Sequence, residues 1–392
     1  MEKRVQNKKS MKKIKIAIDA SRNRSGGAKI HLIGILNDIQ SDKYNIDEIH
    51  VWSYRELLDQ LPNYSWLKKH SPFDSHTSII KELYWQNRIL PKKLKKLNID
   101  ILLNTDAGSI CYFNPSITMS RDMLSYEKGE MERFGISLAR LRLLILKYIQ
   151  KKSLLNSNGV IFLTKYASNI IQNFTGKIKN YKIIHHGISE DFRLNRDISE
   201  NSTKKKLRCI YVSNVTFYKH QWNVVRAFSL LKNYNVELIL AGKLGSGKAK
   251  KMLDKAISEV DPKKEFIVTT DHISHKKIPK LLQSSDIFIF ASSCENMPNT
   301  LVEAMAAGMP IACSDRGPMP EILRDGGIYF DPENIDSIHK AISTLVKDKN
   351  LRTSLSKKSK NYSEEYSWRK CSKKTFNYLI EICDKFKNEN EV

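Results

Sequence analysis

Residues 286–320 read DIFIFASSCENMPNTLVEAMAAGMPIACSDRGPMP, and this stretch decides the fold. Residues 286–291 are a short apolar run, typical of a strand that is buried on both faces. After a loop of turn formers, residues 301–307 are good helix formers, and Gly308 ends the helix. Residues 309–314 predict a second buried strand. The stretch is therefore a βαβ unit, whose loop lies at the carboxyl end of the first strand, where open α/β sheets bind ligands.

Two carboxylates lie in this unit, Glu295 in the loop and Glu303 in the early turns of the helix. The helix start, which Asn299 or Thr300 can cap, offers unpaired backbone amides and a partial positive charge that suit a phosphate. A carboxylate one turn further along can accept hydrogen bonds from the paired hydroxyls of a sugar. Each acid alone could be a solvated or dipole-complementing residue, but together they indicate a nucleotide site.

The stretch resembles the sugar-nucleotide motif of retaining glycosyltransferases of the GT-B fold, specifically family 4. That family carries Glu, seven residues, Glu, and then Ala-Met-Ala-x-Gly-x-Pro. The family often has Gly three residues after the first Glu, where this chain has Pro298. The matching residues here are Glu295, Glu303, Ala304, Met305, Ala306, Gly308 and Pro310.

The resemblance implies an α/β fold with two Rossmann-like, doubly wound domains that face a cleft, and a C-terminal helix that crosses back to the first domain. Alternating β and α segments along the whole chain agree with doubly wound parallel sheets. We expect an N-terminal acceptor domain over 12–188, a linker over 189–206, a C-terminal sugar-nucleotide domain over 207–365, and the crossing helix with a tail over 366–392.

In the first domain, the strand Ile14–Asp19 leads into a glycine-containing turn and a helix over 28–37. This is not a G-x-G-x-x-G fingerprint, so by itself it is weak evidence for a dinucleotide. In the resembling family, a Gly-Gly pair after the first strand faces the diphosphate of the donor. Gly26 and Gly27 match that pair.

A second site follows the strand predicted over 117–120, where the chain reads Arg121-Asp122. The family often has a His-Asp or His-Asn pair here, facing the donor sugar or the acceptor. Arginine stays protonated, so it cannot shuttle a proton, but it can bind phosphate. The resemblance therefore implies binding roles for Arg121 and Asp122 at the reacting centre, and a structural salt bridge between them is the alternative.

The second domain opens with the strand Leu207–Val212. The family then has Gly-Arg and, a few residues later, Lys-Gly or Lys-His; Ser213, Asn214 and Lys219 occupy those positions. Lys219 matches the cation that stabilises the leaving diphosphate. Asn214 replaces the arginine that commonly assists it, and Arg121 or Arg22 are candidates to supply the missing charge.

A helix predicted over 137–155 combines apolar residues at helical spacing with Arg140, Arg142, Lys147, Lys151 and Lys152. We expect its apolar face to pack against its own domain, and a membrane-surface helix is the alternative. The segment over 53–98, where the family receives its acceptor, is also basic. We expect a solvated charged face there, and contact with lipid headgroups is the alternative.

The chain has 66 basic and 42 acidic residues, a net charge of +24. Such a charge indicates a polyanionic neighbour or a compositional bias. We expect no nucleic-acid partner, because no zinc-finger, basic-zipper or RNP-type pattern is present. The basic N-terminus lacks an apolar signal core. We therefore expect a cytoplasmic protein, either free or peripheral at the inner face of the cytoplasmic membrane. Six scattered cysteines without metal-site spacing indicate reduced thiols.

The resemblance implies a retaining glycosyltransferase that moves a hexose or deoxyhexose, in the manner of mannosyl- and rhamnosyltransferases, from a nucleotide-diphosphate sugar. The expected acceptor is a glycan or an undecaprenyl-diphosphate-linked oligosaccharide of bacterial surface polysaccharide (O-antigen, capsule) synthesis. No cofactor beyond the nucleotide sugar and no metal is expected, since no Asp-x-Asp clamp appears. The alternative is a non-catalytic GT-B-like binding partner of an active transferase.

Within that hypothesis, Glu303 binds ribose and Glu295 contacts sugar hydroxyls near the reacting carbon. The amides around Asn299, Thr300 and Leu301 bind the diphosphate together with Lys219. The residues assigned to the reacting centre are Glu295, Lys219, Asp122 and Arg121, and those assigned to donor binding are Gly26, Gly27, Ser213, Asn214, Lys219, Asn299, Thr300, Leu301 and Glu303.

Overall fold

The computed structural model describes residues 13–39, 44–73, 77–194, 206–271 and 273–390. Within them the chain forms a seven-stranded sheet followed by a six-stranded sheet, and every strand pair in both is parallel. Most of the expected linker, residues 195–205, lies outside the described residues. The two parallel α/β sheets confirm the expected fold class.

The first sheet has the strand order β3-β2-β1-β4-β5-β6-β7, so the chain reverses its winding direction after β3, at β1 and β4. This reversal is the topological switch point at which open α/β sheets bind ligands. Its strands are β1 (Ile14–Asp19), β2 (Ile46–Trp52), β3 (Leu67–His70), β4 (Ile101–Asn104), β5 (Ser116–Ser120), β6 (Gly159–Phe162) and β7 (Tyr181–Ile183).

The second sheet has the order β10-β9-β8-β11-β12-β13, with the same reversal between β8 and β11. The two strands of the organising βαβ unit lie side by side at its centre, and both are fully buried, as their apolar runs predict. Its strands are β8 (Leu207–Val212), β9 (Val236–Ala241), β10 (Ile267–Thr270), β11 (Ile287–Phe290), β12 (Ile311–Ser314) and β13 (Ile328–Phe330).

The helices cover both faces of the sheets. A π-helical turn, Trp85–Ile89, continues α3 into α4. The helices are α1 (Gly26–Asn37), α2 (Arg55–Leu58), α3 (Ile79–Tyr84), α4 (Leu90–Lys96), α5 (Leu138–Asn156), α6 (Lys165–Thr175), α7 (Gln221–Ser229), α8 (Lys248–Val260), α9 (Ile278–Gln283), α10 (Asn299–Ala306), α11 (Met319–Leu323), α12 (Ile335–Lys347), α13 (Lys349–Ser363) and α14 (Trp368–Asn390).

The predicted crossing helix is α14, and it packs on the first sheet as expected. It contacts α1, β4 and β5. The Ser372 hydroxyl donates to the Ile35 carbonyl over 2.8 Å, and Trp368 lies against Gly34. The C-terminal helix therefore ties the second half of the chain to the first.

Residues of the second half of the chain also form hydrogen bonds with the first turn and the N-cap residue of helix α6 in the first half. The Glu321 carboxylate accepts hydrogen bonds from the backbone amides of Lys165 and Tyr166, at 2.9 and 2.8 Å. Those amides open α6, where a carboxylate satisfies donors that the helix itself cannot. Thr164 donates from its hydroxyl to the Asn296 carbonyl over 2.9 Å. The two halves of the chain therefore contact each other through loops and helix ends, beside the cleft between their sheets.

Within the basic segment over 53–98, sequence reasoning missed the edge strand β3, whose His70 ring stacks on Trp52 at 4.6 Å; lysines are common on such edges because they discourage further pairing. Two local predictions need correction. The helix α1 begins at Gly26 rather than at residue 28, with Ser25 as its cap. Neither Asn299 nor Thr300 caps α10, because Pro298 holds that position and provides no side-chain hydrogen bond.

The prediction that the apolar face of the helix over 137–155 packs inward is wrong. Of the residues in α5, only Gln150 and Leu154 are buried, and several leucines, an isoleucine and a tyrosine are exposed. Among the described residues, none of the helices is both long and apolar enough to cross a membrane.

Candidate functional site

A cavity of about 740 Å³ opens between the two sheets, at the carboxyl ends of their central strands. Loops after β1, β4, β5, β6 and β7 form one wall, and loops after β8, β9, β10 and β11 form the other. Leu301 is buried in the core and does not line the cavity. The predicted site residues that do line it are Gly26, Gly27, Arg121, Asp122, Ser213, Asn214, Lys219, Glu295, Asn299, Thr300 and Glu303.

The amino end of α10 is directed at this cavity and lacks a side-chain cap. Helix geometry leaves the first amides of α10 without intrahelical acceptors. Asn299, the first helical residue, has its side-chain oxygen 3.0 Å from Nδ1 of His186, which comes from the loop after β7. The backbone amides next to Thr300 therefore form a site with a partial positive charge, suited to an anion.

Glu303, one turn into α10, already has a partner. Its Oε1 lies 2.7 Å from Nε2 of His275, while its Oε2 is buried without a hydrogen-bond partner in the described part of the chain. Burial raises the pKa of Glu303, and the bond to His275 acts against that rise. A buried carboxylate with one unsatisfied oxygen at the cavity wall can accept further hydrogen bonds from a ligand.

Lys219 and Glu295 form an ion pair on the same wall. The Lys219 ammonium lies 5.1 Å from the Phe290 ring centre and 5.4 Å from that of Tyr218. Burial lowers the pKa of Lys219, but Glu295, together with Tyr211 and Tyr218, outweighs it and the pKa is raised overall. Lys219 is therefore a permanent cation, balanced by Glu295 until an anion enters.

Arg121 and Asp122 stand on the opposite wall, and they do not form the salt bridge given as the alternative. Arg121 donates through Nη2 to the Asn23 side chain over 2.6 Å. Asp122 instead accepts from the Leu124 amide and from Gln150. Within the described residues, Nε and Nη1 of Arg121 are buried and have no hydrogen-bond partner. These two free donors make Arg121 the strongest anion-binding candidate on this wall.

Two stacked histidines stand next to Arg121. The rings of His31 and His186 are 4.6 Å apart. Burial, followed by the charge of Arg121, lowers the pKa of His186 to about 3, and burial also lowers the pKa of His31. Both rings are therefore neutral at ordinary pH. With Nδ1 of His186 donating to Asn299, its unpartnered Nε2 is left as a buried acceptor.

Gly26 and Gly27 form the first turn of α1, across the cavity from α10. A Cβ at Gly27 would stand 3.0 Å from the Asn299 side-chain nitrogen, whereas one at Gly26 meets nothing within 4 Å. Gly27 thus lets the two walls approach at this point. Both glycines line the cavity, and their position opposite the donor's diphosphate stays a prediction of the resemblance.

Asn214, which stands where the family has arginine, uses its side-chain oxygen to accept from the Lys243 amide over 3.2 Å. It orders a loop rather than adding charge. Arg22, one of the two candidates for the missing cation, lines the cavity but lies 3.6 Å from Asp106 and donates to the Gly108 carbonyl. Arg121 is consequently the cation with unused donors.

Sequence reasoning missed the positions of both His275 and His186 in this cavity. His275 comes before α9, in the loop after β10, and its position at a strand's carboxyl end was the signal that could have identified it. No group of three or more His, Cys, Asp or Glu side chains in the described ranges could hold a metal ion.

Comparison with known proteins finds a family match for the second half of the chain. Residues 193–362 match the model of the family described as glycosyl transferases group 1. An uncharacterized glycosyltransferase of Methanocaldococcus jannaschii is 26% identical over 211 residues, 50% of this chain and 53% of that protein. The O-antigen chain mannosyltransferase B of Escherichia coli is 26% identical over 106 residues, 27% of this chain and 28% of that protein.

A third relative is the N-acetylgalactosamine-N,N'-diacetylbacillosaminyl-diphospho-undecaprenol 4-alpha-N-acetylgalactosaminyltransferase of Campylobacter jejuni. It is 24% identical over 216 residues, 54% of this chain and 57% of that protein. The alignments with these three relatives thus span from about a quarter to somewhat more than half of their lengths.

Two solved structures share the whole architecture. Sucrose-phosphate synthase from Thermosynechococcus elongatus superposes with a TM-score of 0.74 at 13% identity, covering 94% of this chain and 99% of that one. Anabaena HepE, in complex with UDP and glucose, gives a TM-score of 0.70 at 16% identity, covering 93% and 99%. At these identities the likeness shows the fold. Residues 193–362 therefore match the glycosyl transferases group 1 family, and the two facing parallel sheets of the chain have the GT-B fold.

Proposed function

We propose that this protein is a retaining glycosyltransferase that takes its sugar from a nucleotide-diphosphate sugar. One observation carries the proposal: a single cavity combines the uncapped amino end of α10, the carboxylate Glu303 one turn into it, and the cation Lys219. An anion-binding helix end with a sugar-binding acid one turn away matches the phosphate and ribose of a nucleotide.

In this proposal, Glu303 accepts hydrogen bonds from the ribose hydroxyls. The amides around Asn299, Thr300 and Leu301 bind the diphosphate; Leu301 contributes only backbone, since its side chain is buried in the core. The transferred sugar then extends toward Glu295. The HepE structure of the same fold contains UDP and glucose, which supports a nucleotide sugar as the ligand.

The chemistry assigned to the chain is positioning and electrostatic stabilisation. As the bond from the sugar to the diphosphate breaks, negative charge develops on the leaving phosphate, and the fixed charge of Lys219 stabilises it. Arg121, on the facing wall, supplies the second cation in place of the family's arginine. By family resemblance the acceptor attacks from the leaving-group face, and the departing phosphate helps to remove its proton.

We further propose a glycan or a lipid-linked oligosaccharide as acceptor, within bacterial surface polysaccharide synthesis. The names of two relatives support this: one is an O-antigen mannosyltransferase, and the other includes diphospho-undecaprenol. The acceptor domain is proposed over 12–188 and the donor domain over 207–365. The protein is proposed to work in the cytoplasm, without a metal ion.

The test is a set of thermal shifts with UDP, GDP, dTDP and their sugars, each with and without EDTA. A shift with one nucleotide, unchanged by EDTA and lost in Glu303→Gln, is expected. The Glu237→Gln variant is a matched control, because Glu237 pairs with Arg208 on β8 and does not line the cavity. Absence of any shift and of any sugar-nucleotide hydrolysis would falsify the donor assignment; loss of the shift with EDTA would overturn metal independence.

A second candidate function is a non-catalytic binding partner of an active transferase. The observation in its favour is Asn214, which is committed to the Lys243 amide and adds no charge beside Lys219. A protein of this kind would bind nucleotide equally well in wild type and in Glu295→Gln, and neither form would transfer or hydrolyse the sugar. Sugar release by the wild type alone identifies the enzyme.

A further inference from the structure

Helix α5 presents its apolar residues to solvent. Along one face, side chains at alternating spacings of three and four residues are exposed, which is the spacing of a single helical stripe. We call this face the outer stripe. Its apolar members and their exposed fractions are Leu138 (86%), Leu141 (54%), Ile145 (54%), Tyr148 (64%) and Leu155 (47%).

The inward face of α5 includes two partly buried lysines. The Lys147 ammonium lies 4.2 Å from the centre of the Phe174 ring, and that of Lys151 lies 5.1 Å from it. Gln150 and Leu154 are the buried residues of the helix. Apolar residues therefore face outward while two lysines rest on an aromatic ring, the reverse of an ordinary surface helix.

The charge of α5 has one sign only. The helix contains five basic residues and no Asp or Glu. Two of the basic residues, Arg142 and Lys152, are exposed like the outer stripe itself. An apolar stripe flanked by cations is the pattern of a helix that lies in the interface of an anionic membrane.

A neighbouring element extends this surface. A cavity of about 670 Å³ separates α5 from the π-helical turn, with Lys152 on one side and Asn87 on the other. Tyr112, 51% exposed, lies under Lys152, whose ammonium is 5.6 Å from the ring centre. Ile80 and Tyr84, 80% and 62% exposed, lie on α3, which leads directly into this π-helical turn. Further exposed apolar side chains thus lie on the segment that leads into the far wall of the cavity.

We propose that the outer stripe, with Ile80 and Tyr84, docks this protein onto the surface of an anionic phospholipid bilayer. The apolar side chains enter the boundary between headgroups and acyl chains, and Arg142 and Lys152 contact the anionic headgroups. A second copy of the chain is a poorer occupant, because pairing two outer stripes would bring together the exposed cations Arg142 and Lys152 of both copies, with no acid on either helix. The docking is argued from the exposed residues of α5 and α3 alone. Its role, which is to bring the cleft to a lipid-linked acceptor, rests on the proposed function.

The test is flotation of the full-length protein with vesicles of phosphatidylcholine alone and of phosphatidylcholine mixed with phosphatidylglycerol. One variant carries Leu141→Gln, Ile145→Gln and Tyr148→Gln, which keep good helix formers in place. Another carries Arg142→Gln and Lys152→Gln. The control carries Met252→Gln and Lys251→Gln, exposed positions of α8 in the second half of the chain. Far-ultraviolet circular dichroism and the thermal midpoint show that each variant is folded.

We expect the wild type and the control to bind the mixed vesicles and to leave the neutral ones unbound. Each stripe or charge variant should bind the mixed vesicles roughly tenfold more weakly or worse, and added salt should weaken the wild type. Equal binding by the wild type and both variants, or no binding to the mixed vesicles, overturns the proposal. So does a concentration-dependent dimer in solution that the stripe variant dissociates. The assay contains neither nucleotide nor glycolipid, so its failure would leave the donor assignment standing, and failure of the donor assignment would leave vesicle binding intact.

Discussion

His275 Nε2 lies 2.7 Å from Glu303 Oε1, so the carboxylate proposed to bind ribose is engaged before any nucleotide arrives. The hydrogen bond to Glu303 raises the pKa of His275 above its ordinary value near 6.5, ahead of burial, which acts in the opposite direction. Burial in turn raises the pKa of Glu303. Protonated His275 therefore compensates a carboxylate that is poorly solvated, and the ribose hydroxyls must compete with it.

We predict that this pair makes nucleotide-sugar binding pH-dependent. When ribose takes the hydrogen bonds of Glu303, His275 loses its partner, its pKa falls and it releases a proton. The free protein thus holds more protons than the complex, so affinity should rise from about pH 6 to about pH 8. Folding has the opposite pH dependence: the pair stabilises the protein below the ordinary histidine pKa, and that contribution is lost as pH rises through the raised pKa.

The measurement is isothermal titration calorimetry in two buffers of different ionisation enthalpy. A nucleotide sugar is used rather than a free diphosphate, because its diphosphate carries no proton that titrates in this range. His275→Gln should bind with a nearly flat pH dependence and no buffer-dependent heat. Affinity of the wild type that stays level or falls as pH rises would show that His275 keeps its proton in the complex.

A second prediction concerns the ion pair of Lys219 and Glu295. To neutralise the diphosphate, Lys219 must leave Glu295, so the two interactions compete. Glu295→Gln should bind the nucleotide as tightly as the wild type or more tightly, while sugar transfer falls by about 10²- to 10³-fold. Lys219→Gln should weaken nucleotide binding by roughly tenfold or more.

Both variants are read by titration calorimetry for binding and by release of the free nucleotide for turnover. Lys243→Gln is the matched control for net charge, since Lys243 is exposed and does not line the cavity. If Glu295→Gln weakened nucleotide binding as much as Lys219→Gln, the pair would be a structural unit that positions the loop after β11.

The part of the site that lies within one short stretch of sequence could be predicted. Residues 286–320 contain both strands, the helix and two of the acids, and local pattern dictates each of them. The glycines of α1 and the cation after β8 could be found because each follows the end of a strand, and parallel strands gather their carboxyl ends at one edge.

What escaped prediction depends on contacts between distant parts of the chain. His275 reaches Glu303 across 28 positions of sequence. The burial that neutralises His186 comes from packing between the two halves. The orientation of α5 could not be read from spacing alone, because the same stripe describes a helix turned inward or outward. In α5 the lysines rest on Phe174, and that contact decides the orientation.

A third prediction follows from the unpaired donors of Arg121. A buried guanidinium with Nε and Nη1 unsatisfied costs folding free energy, and burial lowers the pKa of Arg121 accordingly. Arg121→Met should therefore raise the free energy of unfolding by about 1 kcal/mol, while it lowers the rate of sugar transfer. Opposite effects on stability and activity are expected of a side chain retained for a ligand.

Urea unfolding followed by tryptophan fluorescence measures the stability term. Arg22→Met is the comparison, because Arg22 lies beside Asp106 and donates to the Gly108 carbonyl, so its removal should destabilise. An Arg121→Met protein that is both less stable and fully active would mean that the guanidinium serves only the hydrogen bond to Asn23.

The last prediction concerns the contact that ties α14 to the first sheet. Gly34 lies in the middle of α1, where alanine ordinarily stabilises a helix by about 0.5–1 kcal/mol. Here an added methyl group would overlap the Trp368 ring. Gly34→Ala should therefore destabilise the protein by about 1–3 kcal/mol, because the indole cannot move without displacing the start of α14. Gly26→Ala, in the same helix with open space around it, should show no such loss. If α1 and α14 are packed together in solution, the urea midpoint of Gly34→Ala falls while that of Gly26→Ala does not. If Gly34→Ala were as stable as Gly26→Ala, α14 would have to sit further from the first sheet than this contact requires.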